Sequence, residues 1–286
     1  MFDRFIVVDW SAQSTPKLGA DSIWIAVEDA TGARSWNPRT RAEAEVILDE
    51  LVNRSTADRT LIGVDFSLGY PAGTAAALGV DVSMPWRSTW DLLIDLIVDE
   101  SNNRNNRFEV ASLLNERMSG GARPFWGCPP SARSINLAST KPTGVGPVPE
   151  WRSVEATLRI QGRRPFSSWQ LLGAGAVGSQ TLLGVPMVAR VVERLGQRAA
   201  IWPFTTGLSA PLCVAGSVVI AEVWPSILEI PDHRGRVRDE AQVETTAAWL
   251  AGCARDGTLP AMFSPTLDAG GARMVVNEEG WVLGVV

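Results

Sequence analysis

The chain has 286 residues, of which 45% are hydrophobic, and a formal net charge of −5. This composition supplies a real core and excludes disorder of the whole chain, and the acidic balance argues against nonspecific binding of polyanions. Cys128, Cys213 and Cys253 lie far apart without metal-ligand spacing, which suggests neither disulfides nor zinc and predicts reduced thiols in the cytoplasm. No apolar stretch approaches the roughly 20 residues of a membrane helix, so we expect neither membrane insertion nor secretion.

The first 65 residues carry the pattern of a mixed sheet. Residues 3–10 form a β-branched apolar run that predicts a buried strand ending at Asp9. An alternating run over 22–27 and a weaker one over 33–37 predict an antiparallel meander. A helical pattern over 39–54 then leads to a second buried run over 60–65, which ends at Asp65. Because a helix connects these two runs, we expect parallel strands with both aspartates at one edge of the sheet.

The middle of the chain, from about 70 to 198, reads as an insertion. Helical patterns over 89–99, 108–118 and 187–195 are joined by segments rich in Gly, Pro and Ser. The segment 122–151 has little periodicity, which is typical of a lid or a long loop. We therefore predict one domain over 1–286 with a large helical insertion at about 70–198.

Sheet character returns near the C-terminus. Residues 199–202 and 217–224 predict strands, the second of which places Glu222 near its end. A helix is expected over 238–255, with Asp239 in its first turn, and the run 281–286 is strand-like.

Four carboxylates therefore stand at strand ends or at a helix start: Asp9, Asp65, Glu222 and Asp239. Ligands of open α/β sheets bind at the carboxyl ends of the strands, so these groups are expected to converge on one crevice. Clustered carboxylates repel one another, and a hard divalent ion such as Mg²⁺ or Mn²⁺ neutralises them best. Metal ions of this kind support phosphodiester hydrolysis without a histidine, which suits a chain whose only histidine is His233. The alternative is that each carboxylate merely caps a turn or a helix.

The same segments carry a family resemblance. The strand that ends in Asp9, the segment Gly-Val-Asp-Phe-Ser-Leu-Gly-Tyr-Pro at 63–71, Glu-Val-Trp-Pro-Ser at 222–226 and the acidic helix start at 239–240 resemble the DUF429 family of predicted nucleases in the ribonuclease H-like superfamily. The resemblance implies a ribonuclease H-like mixed α/β sheet and metal-dependent cleavage of a phosphodiester in a nucleic acid or nucleotide. It also implies that Asp9, Asp65, Glu222 and Asp239 are the catalytic and metal-binding residues. Trp224 stands where that family commonly has a histidine.

Other interpretations remain open at this point. The same fold could serve a non-catalytic binding or scaffold protein, or an actin-like nucleotide-binding phosphotransferase, although the segment after Asp9 lacks glycine. The run Gly173 to Gly178 matches a dinucleotide-binding pattern by letter, but no buried strand precedes it. Several arginines are expected either to lie on solvated helix faces or to line a path for a phosphate backbone: Arg104, Arg107, Arg159, Arg163 and Arg164. Cys128 lacks a plausible base for a nucleophilic role.

Overall fold

A computed structural model describes residues 1–173, 175–230 and 235–286, and a six-stranded mixed sheet lies at its centre. The strands are β1 (Arg4–Asp9), β2 (Trp24–Asp29), β3 (Gly32–Trp36), β4 (Thr60–Val64), β5 (Ala199–Ile201) and β6 (Val218–Glu222), in the order β3-β2-β1-β4-β6-β5. The pairs β1–β2 and β2–β3 are antiparallel, whereas the pairs β1–β4, β4–β6 and β6–β5 are parallel. The predicted meander and the predicted parallel pairing of the strands before Asp9 and Asp65 are confirmed.

Helices cover both faces of the sheet. Within the described residues they are α1 (Arg41–Asn53), α2 (Thr74–Leu78), α3 (Pro85–Leu96), α4 (Arg107–Ser119), α5 (Ser153–Ile160), α6 (Gly178–Leu195), α7 (Arg238–Arg255), α8 (Leu259–Met262) and α9 (Ala269–Met274), which a π-helical turn at Val275–Glu279 follows. Helices α2, α5, α8 and α9 were not predicted. Helix α6 begins nine residues before the expected start because Pro186 lies inside it rather than at its first turn.

Each face of the sheet has its own apolar core. On the first face, which we call the α1 face, Ile6, Val8 and Val64 pack with residues of α1, α3, α4 and α6. On the second, the α7 face, Val7 and Val219 pack with residues of α5, α7 and α8. Side chains of the segment 70–198 contribute to both cores, so this segment packs directly against the sheet.

Connectivity orients three long helices the same way. Helices α1 and α6 each lead into a parallel strand and α7 follows β6, so all three begin at the carboxyl edge of the parallel strands. The partial positive charge of each helix N-terminus therefore lies at the edge where Asp9 and Asp65 end their strands.

The chain ends without the expected strand. Only Val282 of the run 281–286 makes a parallel bridge, to Glu222, because Gly284 adopts φ +88° and the indole of Trp281 bonds the carbonyl oxygen of Val285. None of the helices in the described part of the chain is long and apolar enough to cross a membrane.

Candidate functional site

Asp9 and Asp65 are neighbours at the end of two paired strands. The parallel register of β1 and β4 runs from Arg4 opposite Thr60 to Val8 opposite Val64, and the amide of Asp65 donates to the carbonyl oxygen of Val8 at 3.0 Å. The two aspartates come one position later, on backbones about 5 Å apart. Because side chains alternate along a strand, both carboxylates belong to the α7 face, with Val7.

Asp239 approaches this pair from the helix above it. It lies in the first turn of α7, which packs across β1 and β2, and its Oδ2 accepts a hydrogen bond from the amide of Asp21 at 2.7 Å. Asp9, Asp65 and Asp239 are all half-buried. The structure therefore brings three of the four predicted carboxylates to one end of the α7 face.

These carboxyls have raised pKa values and no cationic partner among the described residues. Burial, followed by repulsion from Asp65, Asp239 and Asp21, raises the pKa of Asp9 well above its usual range. Burial, Glu222 and Asp239 raise the pKa of Asp65 to about 7. Within the described ranges, no Arg or Lys forms a salt bridge with either group. The pair therefore favours any ligand that brings positive charge.

Glu222 lies at the same edge but belongs to a different set of contacts. It is opposite Val64 in the register, so its side chain starts on the α1 face, whereas Asp65 is level with Val223. Its carboxylate receives Arg152 Nη1 at 2.7 Å and Nη2 at 2.6 Å, as well as the amide of Leu68 at 3.2 Å. Burial raises the pKa of Glu222, and Arg152 opposes that shift. The carboxylate of Glu222, which was expected to bind a metal ion, is thus bound by the guanidinium of Arg152.

Arg152 organises the segment that follows Asp65. Its side chain is completely buried, and besides Glu222 it binds the carboxylate of Glu155 and the carbonyl oxygen of Glu279. The carboxylate of Glu279 in turn accepts the amides of Ala72 at 3.0 Å and Ser153 at 2.8 Å. Sequence reasoning missed this network; its one local signal was the spacing of Arg152 and Glu155, three residues apart at a helix start.

Gly69 shows why the segment after Asp65 contains a glycine. A Cβ at this position would lie 2.2 Å from the carbonyl oxygen of Glu278 and 2.5 Å from that of Glu279. The side chain of Glu278 also accepts the amides of Gly73 at 2.8 Å and Ala75 at 2.7 Å, at the start of α2. The π-helical turn at Val275–Glu279 therefore packs its backbone against the Asp65 loop and fixes that loop.

The donor set at Asp9 and Asp65 fits one class of metal ion. Within residues 1–173, 175–230 and 235–286, no three His, Cys, Asp or Glu side chains are grouped as a ready metal site. Mg²⁺ is commonly bound through one or two carboxylates, with water and substrate phosphate as its remaining ligands. Two adjacent, uncompensated carboxylates match that requirement, and they do not match the closed cage of a structural zinc ion.

The remaining candidate residues from the sequence, which are the glycine run 173–178, His233, Cys128 and Trp224, lie in different parts of the chain. Gly178 opens α6 where a Cβ would lie 2.5 Å from the carbonyl oxygen of Ser168, and no strand element occurs between α5 and α6 in the described residues. Ala174 of this run and His233 lie outside the described residues. Cys128 is buried, with its Sγ 3.8 Å from the carbonyl oxygen of Leu137. Trp224 is half-buried against the core of the α7 face.

Comparison of the chain with protein-family models, with curated proteins and with solved structures gives no significant match.

Proposed function

We propose that this protein is a ribonuclease H-like hydrolase that cleaves a phosphodiester of a nucleic acid or nucleotide with Mg²⁺ or Mn²⁺ bound at Asp9 and Asp65. One observation carries the proposal: two carboxylates adjacent in register at the ends of paired parallel strands, with raised pKa values and no cationic partner among the described residues.

The arrangement of the sheet supports the ribonuclease H-like assignment. An antiparallel meander β1-β2-β3 is joined through β1 to parallel β4 and β6, and an acidic helix, α7, follows β6 and covers β1. This is the order of elements on which the resemblance to the DUF429 family rests. The short strand β5 adds an edge to that arrangement, and the segment between β4 and β5 supplies the helical insertion.

We assign different roles to the four carboxylates. Asp9 and Asp65 are the direct metal ligands, because their side chains share a face. Asp239 would act beside the ion rather than hold it, since its Oδ2 already accepts the amide of Asp21. Glu222 is assigned a positioning role, because its carboxylate is bound by Arg152 and by the amide of the Asp65 loop.

The chemistry follows from this division of roles. The ion, when bound, polarises a phosphoryl oxygen and lowers the pKa of a bound water. Water oxygen forms a bond to phosphorus, the ester P–O bond breaks, and the leaving oxygen takes up a proton, which gives one phosphomonoester and one alcohol. Asp9 and Asp65 would supply the negative charge that retains the ion, and we assign to Asp239 the role of accepting a proton from water.

The test is metal binding followed by cleavage. Mn²⁺ and Mg²⁺ binding is measured by calorimetry at pH 8 for the wild type, Asp9→Asn, Asp65→Asn and the control Asp256→Asn, which removes an exposed carboxylate after the opposite end of α7. We expect binding in the wild type and the control and its loss in the two site variants. Labelled single-stranded and duplex DNA, RNA, an RNA–DNA hybrid and ATP are then incubated with the same proteins.

Each outcome of this test selects one function. Metal-dependent cleavage of a nucleic acid that Asp9→Asn and Asp65→Asn both abolish supports the proposal, whereas turnover of ATP alone supports the actin-like phosphotransferase. An absence of metal binding at millimolar concentrations supports the non-catalytic protein. That second candidate has one observation in its favour, the neutralisation of Glu222 by Arg152.

A further inference from the structure

Arg107, at the start of α4, is a buried cation with neutral partners. Only 8% of the residue is exposed. Its Nε donates to Ser179 Oγ at 3.0 Å, and its Nη1 donates to Ser14 Oγ at 2.9 Å and to Asn105 Oδ1 at 2.8 Å. Throughout the described residues, it forms no salt bridge, and its Nη2 has no acceptor although that atom remains accessible to solvent.

The surroundings of Arg107 make this charge costly. Burial, followed by the neighbouring Arg41, lowers its pKa to about 10, and the carboxylates of Glu109 and Asp99 only partly oppose that shift. Neither carboxylate forms a salt bridge with Arg107 among the described residues, and Asp99 is bound by Arg41 at 2.6 Å. A buried charge without a counterion is unfavourable. The guanidinium is therefore held in place by neutral acceptors, with a free donor and no carboxylate bound to it among the described residues.

The N-terminus of α6 adds further donors at the same place. Ser179, which receives Arg107, lies in the first turn of this 18-residue helix. The amides of Ser179 and Gln180 have no acceptor in the part of the chain that the structure describes, whereas the amide of Gly178 donates to Gln170. Helix N-termini with free amides bind anions, and here a buried guanidinium reinforces the effect.

This cluster lies beside the proposed catalytic edge. Gln180 Nε2 donates to the carbonyl oxygen of Trp10 at 2.5 Å, and Trp10 directly follows Asp9. Ser14 belongs to the exposed loop that continues from β1. The cluster is reached from the α1 face, since α6 covers that face, while Asp9 belongs to the α7 face.

We propose that Ser14, Arg107 and the first turn of α6 at Ser179 and Gln180 form a phosphate-binding subsite. The ligand is a phosphate of the substrate other than the one that is cleaved, so the identity of the ligand rests on the proposed function, while the site itself does not. The phosphate oxygens accept from Arg107 Nη2, the Ser14 hydroxyl and the free helix amides. The subsite holds the substrate backbone on the α1 side of the sheet edge.

The test introduces a competing carboxylate at the mouth of the subsite. In Ser14→Asp, the new side chain supplies Arg107 with the negative charge that phosphate would supply, and it lies on an exposed loop, so folding is preserved. The matched control is Thr56→Asp, an exposed hydroxyl-to-carboxylate change before β4, at the opposite edge of the sheet. Binding of inorganic phosphate, pyrophosphate and the oligonucleotide dT8 is measured by calorimetry in EDTA, so that no metal contributes.

We expect Ser14→Asp to weaken dT8 binding at least about tenfold, as loss of a charge-assisted contact does, and Thr56→Asp to leave it within about twofold of wild type. Asp9→Asn should bind dT8 in EDTA at least as tightly as the wild type, even if no cleavage is ever found, which separates this inference from the proposed function. Arg107→Gln, which removes the charge, should reproduce the effect of Ser14→Asp. Equal affinity of the wild type and Ser14→Asp for dT8, or no binding of any of the three probes at tens of millimolar, would overturn the subsite.

Discussion

Replacing Asp65 by Asn should stabilise this protein at neutral pH. In the folded state the pKa of Asp65 is raised from 3.8 to about 7. Ionisation of this carboxyl above pH 4 therefore destabilises the folded state relative to the unfolded chain. For one group with these two values, the cost is about 4 kcal/mol at pH 7 and about 1 kcal/mol at pH 4.5. Because Asp65 is half-buried and screened by water, we expect about 2–4 kcal/mol at pH 7.

The sign of the pH dependence follows from the direction of the shift. A carboxyl with a raised folded pKa binds its proton more tightly in the folded state, so the stability of the wild type rises as pH falls from 7 toward 4. The advantage of Asp65→Asn should therefore shrink over the same interval. Urea unfolding of both proteins in EDTA, at pH 7 and at pH 4.5, measures this difference.

A divalent ion should offset most of this difference in stability. At 100 times its dissociation constant, Mg²⁺ stabilises a protein with one site by about 2.7 kcal/mol, and Asp65→Asn should gain none of this. The exposed control Asp256→Asn should change stability by less than about 0.5 kcal/mol at either pH, with Mg²⁺ response intact. If Asp65→Asn is less stable than the wild type at pH 7 in EDTA, or if its effect is the same at both pH values, the reasoning is wrong.

Other substitutions test the contacts around this pair by urea unfolding, and calorimetry tests its metal affinity. Arg152→Ala leaves buried carboxylates unpaired and should cost about 3–5 kcal/mol, clearly more than the conservative change Glu222→Gln; equal losses would count against the ion pair. Gly69→Ala forces a methyl group against two carbonyl oxygens and should cost about 3 kcal/mol, whereas Gly121→Ala, which meets open space, should be nearly neutral. Metal affinity should rise between pH 6 and 8, because the ion displaces a proton from Asp65; a flat profile would contradict the raised pKa.

The strands and long helices could be predicted because their patterns are local. Residues 3–10 and 60–65 each read as a buried strand that ends in a carboxylate, and a helix between them requires the parallel pairing that the register shows. The start of α6 could not be found, because Pro186 reads as a helix start and in fact lies inside the helix. The final run has strand composition, yet a glycine with positive φ turns it away from the sheet.

The contacts at the site could not be predicted for a different reason, which is that the residues in contact are far apart in the sequence. Nothing near Glu222 indicates that Arg152, seventy residues earlier, binds its carboxylate. Nor does the sequence give the register of β6 against β4, and a shift of one residue decides whether Glu222 shares a face with Asp65. Arg107 was expected on a solvated face or along a phosphate path; it is buried because Ser14, Asn105 and Ser179 converge on it from three segments.

The contrast between the two faces of the sheet edge bears on the proposed role of Asp9 and Asp65. Glu222 has a permanent cation: Arg152 is completely buried and donates to its carboxylate through two nitrogens. Asp9 and Asp65 sit one register position further along, with raised pKa values and no such partner in the described residues. The buried Arg152 shows that this fold can supply a fixed cation at a strand end. The lack of such a cation at Asp9 and Asp65 is best explained by a cation that binds there reversibly. A substrate-linked metal ion meets that requirement, because it arrives with its own water and phosphate ligands and needs only two carboxylates from the protein.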